Sequence, residues 1–491
     1  MISHRLLIAA VVLIASSVSS AADASPAKRR PNVVVFLADD LGWRDLGYAG
    51  STFYESPNID ALAKRGTVFT QAYAAGPVCS PTRAAILTGR YPARVGVTDW
   101  IGGPQPEEAR KLPRWNVKPM LPAAYKEQLP LEDVTIAEAM REAGYATCFL
   151  GKWHLGGPKF HPTLQGFDAS IGATQRGSPA KNGYFAPYND FIELSPGPVG
   201  EHLDLRLANE ASTWIGKRDG EKPFFLYFSL FDVHTPLMAP AETIRHFEDK
   251  KAKLGLSDDF AKEGESKLRS NHAHTTYAAM VKTMDDCVGI VTRQLESQGL
   301  LDDTIIVFTS DNGGVSTAEG WPTSNAPLRA GKGWPYEGGV RVPLLLVAPG
   351  ISKPGTTSDV LAISTDLFPT LLAACGVAPR EKDHVDGISL LPAVRGETST
   401  DRPLFWHYPH YGNQGGSPYS AIRSGDWKLI AFHETKHPAE LYNLAHDPHE
   451  NQNVAESNEP RVKEMLTALN AWKQSVGAVD ATVNPAAAAA R

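Results

Sequence analysis

Two adjacent pairs of oxygen-bearing side chains, Asp39-Asp40 and Asp311-Asn312, each follow a run of apolar and β-branched residues, NVVVFLA at 32–38 and TIIVFT at 304–309. Hard divalent cations prefer carboxylate and amide oxygens, so the four side chains could converge on one such ion. Either pair alone is equally a turn or a helix cap. Two pairs at the ends of two buried strands favour the metal. A third feature is Cys79-Ser80-Pro81-Thr82-Arg83, in a polar loop where Pro81 opens a helix running on through Ala84-Ala85-Ile86-Leu87-Thr88-Gly89-Arg90. A lone cysteine is most often a small buried hydrophobe. This one would lie near a positive helix end with Arg83 close by, which suits a nucleophile that handles anions. A thiolate hydrolase is one such reading, although no local cysteine-protease signature matches.

The elements that must position these residues alternate in type. Continuous apolar runs at 32–38 and 304–309, with others at 224–228 (ending near His234) and 344–347, read as strands buried on both faces, as in a parallel sheet. Helical patterns lie between them at 134–143 and at 277–295, where Tyr277, Met280, Met284, Val288, Val291 and Leu295 recur every three or four residues. The alternation predicts an α/β layer fold. Ligands in such sheets gather beyond the carboxyl ends of the strands, where Asp39, Asp40, Asp311, Asn312 and His234 fall. From 401 the texture changes to short strand-like pieces at 404–408, 420–423, 427–432 and 441–443, then a helix at 461–472, which predicts a smaller α+β domain. Segments 102–128 and 172–200, rich in Pro, Gly and aromatics, read as long functional loops.

At 491 residues and 42% hydrophobic the chain is long enough for a large core, and a formal charge of -6 excludes a general nucleic-acid footprint. Four cysteines in so long a chain exclude a dense disulfide framework. Cys148, Cys287 and Cys375 sit in or beside apolar patterns and read as core. The N-terminus has Arg5, an apolar run at 6–15 and small residues up to Ala21-Ala22, the build of a secretory signal. The run is too short to span a bilayer, and no cysteine follows to carry a lipid. The expected division is therefore a signal peptide at 1–22, a catalytic domain at 23–400, the α+β domain at 401–476 and a frayed tail at 477–491 that has nothing to bury. The mature protein is expected to be exported, periplasmic or secreted, without a stable membrane anchor.

Cys79-Ser80-Pro81-Thr82-Arg83 followed in register by Leu87-Thr88-Gly89-Arg90 resembles the signature of the type I sulfatases of the alkaline phosphatase superfamily, with Thr82 in place of the more usual Ser. Further blocks match in order: PNVVVFLADDLGW, GKWHLG at 151–156, VHTP at 233–236, SDNGG at 310–314, GKGWPYEGGVRVP at 331–343 and RSGDWKLI…ELYNLAHDPHE. The resemblance implies an alkaline phosphatase-like fold, with a large mostly parallel sheet between helices and a smaller C-terminal domain on an antiparallel sheet. It implies that a maturation enzyme, of the formylglycine-generating or anaerobic type, oxidises Cys79 to formylglycine. Asp39, Asp40, Asp311 and Asn312 match calcium ligands, with modified Cys79 completing the set. Arg83 and Lys152 match residues that hold the formylglycine hydrate, and His154 matches the one that removes its second proton. His234 and Lys332 match residues that bind the sulfate ester and assist the leaving oxygen.

A sulfate monoester spreads one negative charge over three oxygens, and its cleavage moves charge onto the bridging oxygen, so cations fixed around the sulfonate favour reaction. A protonated His234 would donate to that oxygen. The expected substrate is a sulfated polysaccharide or oligosaccharide, with galactose- or N-acetylgalactosamine-configured sugars as candidates, or an aryl sulfate. Trp100, Trp115, His407, Tyr408, His410 and Tyr411 are candidates to stack on sugar rings, with Trp100 and His407 foremost. A formylglycine-dependent phosphonate monoester hydrolase or phosphodiesterase is the alternative within the superfamily. A non-catalytic glycan-binding relative would lack site residues, and none is missing.

Overall fold

The computed structural model describes residues 29–489 except 180–182, 189–193, 196, 219, 398–400 and 435–437. The expected signal peptide and part of the 172–200 loop lie outside the described residues. The central sheet has eight strands in the order Thr356–Ser358, Thr67–Phe69, Leu344–Val347, Thr304–Ser310, Asn32–Ala38, Phe224–Ser229, Ala146–Lys152, Ala169–Thr174. Leu344–Val347 runs antiparallel to both neighbours, and every other pairing in the sheet is parallel.

Alternate residues of Asn32–Ala38 serve two cores. Val34, Phe36 and Ala38 pack into the layer holding the helices Leu203–Gly216 and Thr275–Ser297, whereas Val33, Val35 and Leu37 face the layer of Ile136–Glu142 and Leu367–Ala374. Burial on both faces explains the unbroken apolar strands. Their register matters for function. Ala38 pairs with Ser310, Leu37 with Ser229 and Ser229 with Gly151, so four neighbouring strands finish at one level. The last of them shifts register between Leu150 and Lys152. Gly151 sits there at φ 89°, and a Cβ would lie 2.0 Å from the Ser229 carbonyl oxygen, so only glycine permits the approach.

The C-terminal region is a four-stranded antiparallel sheet, Leu404–Tyr408, Tyr419–Ser424, Trp427–Phe432 and Glu440–Asn443, with the helix Glu459–Val476 packed on it. A buried ionic cluster joins it to the larger sheet's domain: Lys428 Nζ lies 3.0 Å from Glu337 Oε1 and 2.9 Å from Glu450 Oε1. All three side chains are buried. The tail, expected to fray, is anchored at 482–484 instead. Thr482–Val483 pairs antiparallel with Met120–Leu121, and the Asn484 amide donates to the carbonyls of Asn116 and Lys118 at 2.8 and 2.9 Å. The tail is held by backbone and amide hydrogen bonds, which an apolar count does not register.

Removing one member of a buried ion cluster leaves the others uncompensated, typically at a cost of about 3–5 kcal/mol. Lys428→Ala is therefore expected to lower stability by about that amount in urea denaturation, and a loss below about 1 kcal/mol would contradict this role.

Candidate active site

The aligned strand ends deliver one set of side chains to one place. Asp39-Asp40 follow the first strand, Asp311-Asn312 follow Thr304–Ser310, Ser229 closes Phe224–Ser229, and Lys152 closes Ala146–Lys152. Facing them is the helix Cys79–Thr88, all ten of whose residues are buried. The helix opens at Cys79 rather than at Pro81. Pro81 still lies in the first turn, where no backbone donor is required.

Beneath Cys79 the charges interlock. Arg83 donates from Nε and Nη2 to Asp311 Oδ2 at 2.9 and 2.7 Å, and from Nη1 to the Lys152 carbonyl at 3.0 Å and Ser229 Oγ at 2.6 Å. Lys152 Nζ donates to Asp39 Oδ2 at 2.5 Å, and Lys332 Nζ to Asp40 Oδ2 at 2.8 Å. Asn312 donates to Asp40 Oδ1 at 2.8 Å, and the Asp40 backbone N–H to Asp311 Oδ1 at 3.1 Å. Asp40 holds φ 63°, a conformation aspartate tolerates better than most residues.

The donor set fits a hard cation. Ligand atoms of Asp39, Cys79 and Asp311 lie within 4.8 Å of one another, as do those of Asp39, Asp40 and His234. Asp39 Oδ1 and Asn312 Oδ1 are buried with no hydrogen-bond partner among the described residues. Burial lifts the Asp39 carboxyl well above the usual range although Lys152 and Arg83 pull it down, and Asp311 adds to the rise. Burial would raise Asp40 too, but Lys332, His234 and Lys152 together hold it well below that range. A divalent cation would satisfy both unpartnered oxygens and relieve the repulsion at Asp39.

Cys79 faces a pocket of about 220 Å³ whose lining includes Trp100, His154, His234, Glu319 and Lys332. Burial pushes its thiol up to about 11, against the pull of Lys152 and Lys332. The expected thiolate nucleophile is therefore not favoured at the helix end, since desolvation outweighs the cations. His154 Nε2 lies 2.9 Å from the Ile101 carbonyl and so carries the proton, while Nδ1 has no partner among the described residues. Burial, reinforced by Lys152, holds this imidazole well below its ordinary pKa, leaving a neutral ring with a free lone pair. His234 Nδ1 lies 2.7 Å from the Thr235 carbonyl, which turns Nε2 toward Asp40 Oδ2 at 3.7 Å. Burial lowers His234 to about 4 despite Asp40. The expectation of a protonated His234 thus changes in the free site. Lys332 is the proton-bearing group on that wall, because Asp40 and Glu319 outweigh burial and hold its ammonium well above the usual range.

Of the expected stacking residues, Trp100 lines the pocket. Asp99 Oδ1 fixes it by accepting from the Trp100 N–H at 2.9 Å and from Tyr408 Oη at 2.9 Å. His407 does not reach the pocket: its ring nitrogens meet Ser420 Oγ and the Val479 carbonyl, both at 2.9 Å, beside the tail. Trp115 packs edge-on to Tyr411, and His410 is buried against Thr98. Ser229, Gly177, Glu319 and Gln414 belong to the site although sequence patterns did not single them out.

The sulfatase family model matches residues 31–377, and the model for the C-terminal region of N-sulphoglucosamine sulphohydrolase matches 330–475. The chain belongs to the sulfatase family. A sulfatase of Formosa agariphila is 30% identical, covering 94% of this chain and 92% of the relative, and arylsulfatase A of Homo sapiens is 31% identical, covering 93% and 89%. The structure of Ps i-CgsB in complex with k-i-k-neocarrahexaose superposes with a TM-score of 0.72 at 30% identity, covering 90% of this chain and 93% of that one. In this sulfatase Cys79, Arg83, Lys152, His154, His234, Asp311 and Lys332 lie together around one pocket and the acidic cluster beneath it. The three other cysteines are free and buried, as expected of core residues.

Gly177 lines the pocket beside His154, and a Cβ there would lie 2.6 Å from His154 Cε1. Displacing a catalytic group by about 1 Å can cost about a hundredfold in rate. Gly177→Ala is expected to lower kcat at least about tenfold with unchanged thermal stability; full activity in the variant would show that His154 needs no such room.

Proposed function

We propose that this sulfatase is an exported, periplasmic or secreted enzyme that removes sulfate from a sulfated carbohydrate, with calcium in the acidic cluster and Cys79 converted to formylglycine by a maturation enzyme. The observation that carries the proposal is the placement of Cys79 at the mouth of a buried Asp39–Asp40–Asp311–Asn312 cluster, with Lys332 and His234 on one wall and the free Nδ1 of His154 in the same pocket. The structure of Ps i-CgsB in complex with k-i-k-neocarrahexaose, at 30% identity, and an N-acetylgalactosamine-6-sulfatase of Canis lupus familiaris, 32% identical, support a sugar substrate. Among the described residues no helix is long and apolar enough to cross a membrane.

Asp39, Asp40, Asp311 and Asn312 would hold the calcium, which when bound supplies positive charge against the sulfonate oxygens. Cys79, once converted to formylglycine, would supply a hydrated aldehyde with two hydroxyls, chemistry suited to attack on sulfur and to release of sulfate. The chain's own residues do the rest. Arg83 fixes Asp311 through two donors, so this carboxylate can accept a proton without turning away. Lys152, locked on Asp39, adds charge beneath Cys79. Lys332 and His234 flank the leaving oxygen, and Lys332 brings the proton in the free site. His154, kept neutral, takes a proton at Nδ1 once its Nε2–H is committed to the Ile101 carbonyl.

The test compares protein made with and without a maturation enzyme, by mass spectrometry of the Cys79 peptide and by rates on 4-nitrophenyl sulfate and bis(4-nitrophenyl) phosphate. Activity on the sulfate that rises with the fraction of aldehyde is expected; an intact thiol in active enzyme, or a clear preference for the diester, would overturn the reading. His154→Ala is expected to lower kcat about 10²- to 10⁴-fold with KM little changed, as for loss of a positioned base, and a change confined to KM would contradict that role.

A further inference from the structure

Two residues of the pocket lining, Glu319 and Gln414, each carry an acceptor oxygen that has no hydrogen-bond partner among the described residues. Gln414 Nε2 donates to Glu319 Oε1 at 2.5 Å. Glu319 Oε2 and Gln414 Oε1 are then left buried, without a hydrogen-bond partner among the described residues, and both residues line the pocket that Cys79 faces. Gln414 itself is only 5% exposed. Buried acceptors without donors are costly to maintain, and a pocket that keeps two of them is built to meet hydroxyl or amine donors on its ligand.

The two side chains are fixed in place. Glu319 is held at φ 54°, a rare conformation for a side chain of its length. The Gln414 carbonyl accepts from Thr317 Oγ1 at 2.9 Å and from Trp334 Nε1 at 3.1 Å, which clips its loop to the one bearing Glu319. Gly333 leaves the room that Gln414 occupies, since a Cβ there would lie 2.6 Å from Gln414 Oε1. Gln414 comes from the loop between the first two strands of the C-terminal sheet, so the small domain builds part of the pocket wall. With about 220 Å³ available the pocket has room for a sulfate and little more than one ring, so the ring that carries the sulfate lies among the lining residues, Glu319 and Gln414 included.

We propose that Glu319 and Gln414 form a hydroxyl-reading subsite that selects a sulfated sugar with free hydroxyls beside the sulfated position and rejects one bearing a second sulfate there, with Trp100 as the apolar wall. This rests on the sulfatase reading. A free hydroxyl donates to Glu319 Oε2 or Gln414 Oε1. A second sulfate offers no donor and brings negative charge against the Glu319 carboxylate, which is selection by repulsion as well as by attraction. A site that hydrogen-bonds a substrate hydroxyl discriminates strongly against analogues that cannot donate.

The experiment measures kcat/KM of the matured wild type, Glu319→Gln and Gln414→Ala on monosulfated galactose, N-acetylgalactosamine and glucosamine, on their disulfated counterparts, and on 4-nitrophenyl sulfate. Glu319→Gln is expected to lower the ratio of monosulfated to disulfated turnover at least about tenfold, and Gln414→Ala to raise KM for the monosulfated sugar more than for the aryl sulfate. Equal losses on all three substrate types would overturn the subsite and show that Glu319 acts only through Lys332. A wild type that prefers the disulfated sugars, or variants that match wild type throughout, would also overturn it while leaving the sulfatase reading standing. A wild type inactive on every sulfate ester would instead overturn that reading, and the subsite with it.

Discussion

Three carboxylates buried within one cluster are the constraint around which this structure is arranged. Like charges about 4 Å apart in a partly screened interior repel by about 4 kcal/mol, and each buried ion without a partner costs several kcal/mol more. Asp39, Asp40 and Asp311 can stand together only because Arg83, Lys152 and Lys332 reach them. Those three cations come from three separate elements: a buried helix, a strand end and a loop. The sheet register, the opening at Gly151 and the full burial of the Cys79–Thr88 helix all serve that convergence.

The cations divide the labour by depth. Arg83 and Lys152 lie below Cys79 and are committed to carboxylates and carbonyls, so they set the shape and charge of the floor. Lys332 and His234 line the pocket, as does the neutral His154. A sulfate ester entering there meets positive charge already in position, and little reorganisation is left for the reaction itself. The same burial that keeps His154 unprotonated also raises the Cys79 thiol, so one environment favours a base and disfavours an unmodified thiolate.

The parts of the site that were legible in the sequence are those fixed by strong local patterns. NVVVFLA and TIIVFT could be read as buried strands because burial on both faces demands unbroken apolar residues, and the acidic pairs that follow them mark the carboxyl ends. The Cys79 block could be read because its helix has no exposed face to vary. Glu319 and Gln414 were not legible: they sit in irregular loops, and only a tertiary contact brings them together. His407 misled because a histidine in an aromatic strand resembles a stacking residue, whereas the C-terminal sheet buries it against the tail. The tail misled in turn because its anchors, the Thr482–Val483 pairing and the Asn484 amide, are polar.

Asp39 Oδ1 and Asn312 Oδ1, buried and without a hydrogen-bond partner among the described residues, would complete a cation site in the acidic cluster. Calcium titration of the chelated protein, followed by calorimetry and by thermal unfolding, tests it without reference to turnover. One ion per chain is expected, with a stabilisation of about 2.7 kcal/mol at a hundredfold excess over Kd and affinity weakened at least about tenfold in Asn312→Ala, which removes an amide oxygen from the cluster without altering charge. Unfolding indifferent to calcium, or binding as tight in the variant as in the wild type, would contradict it.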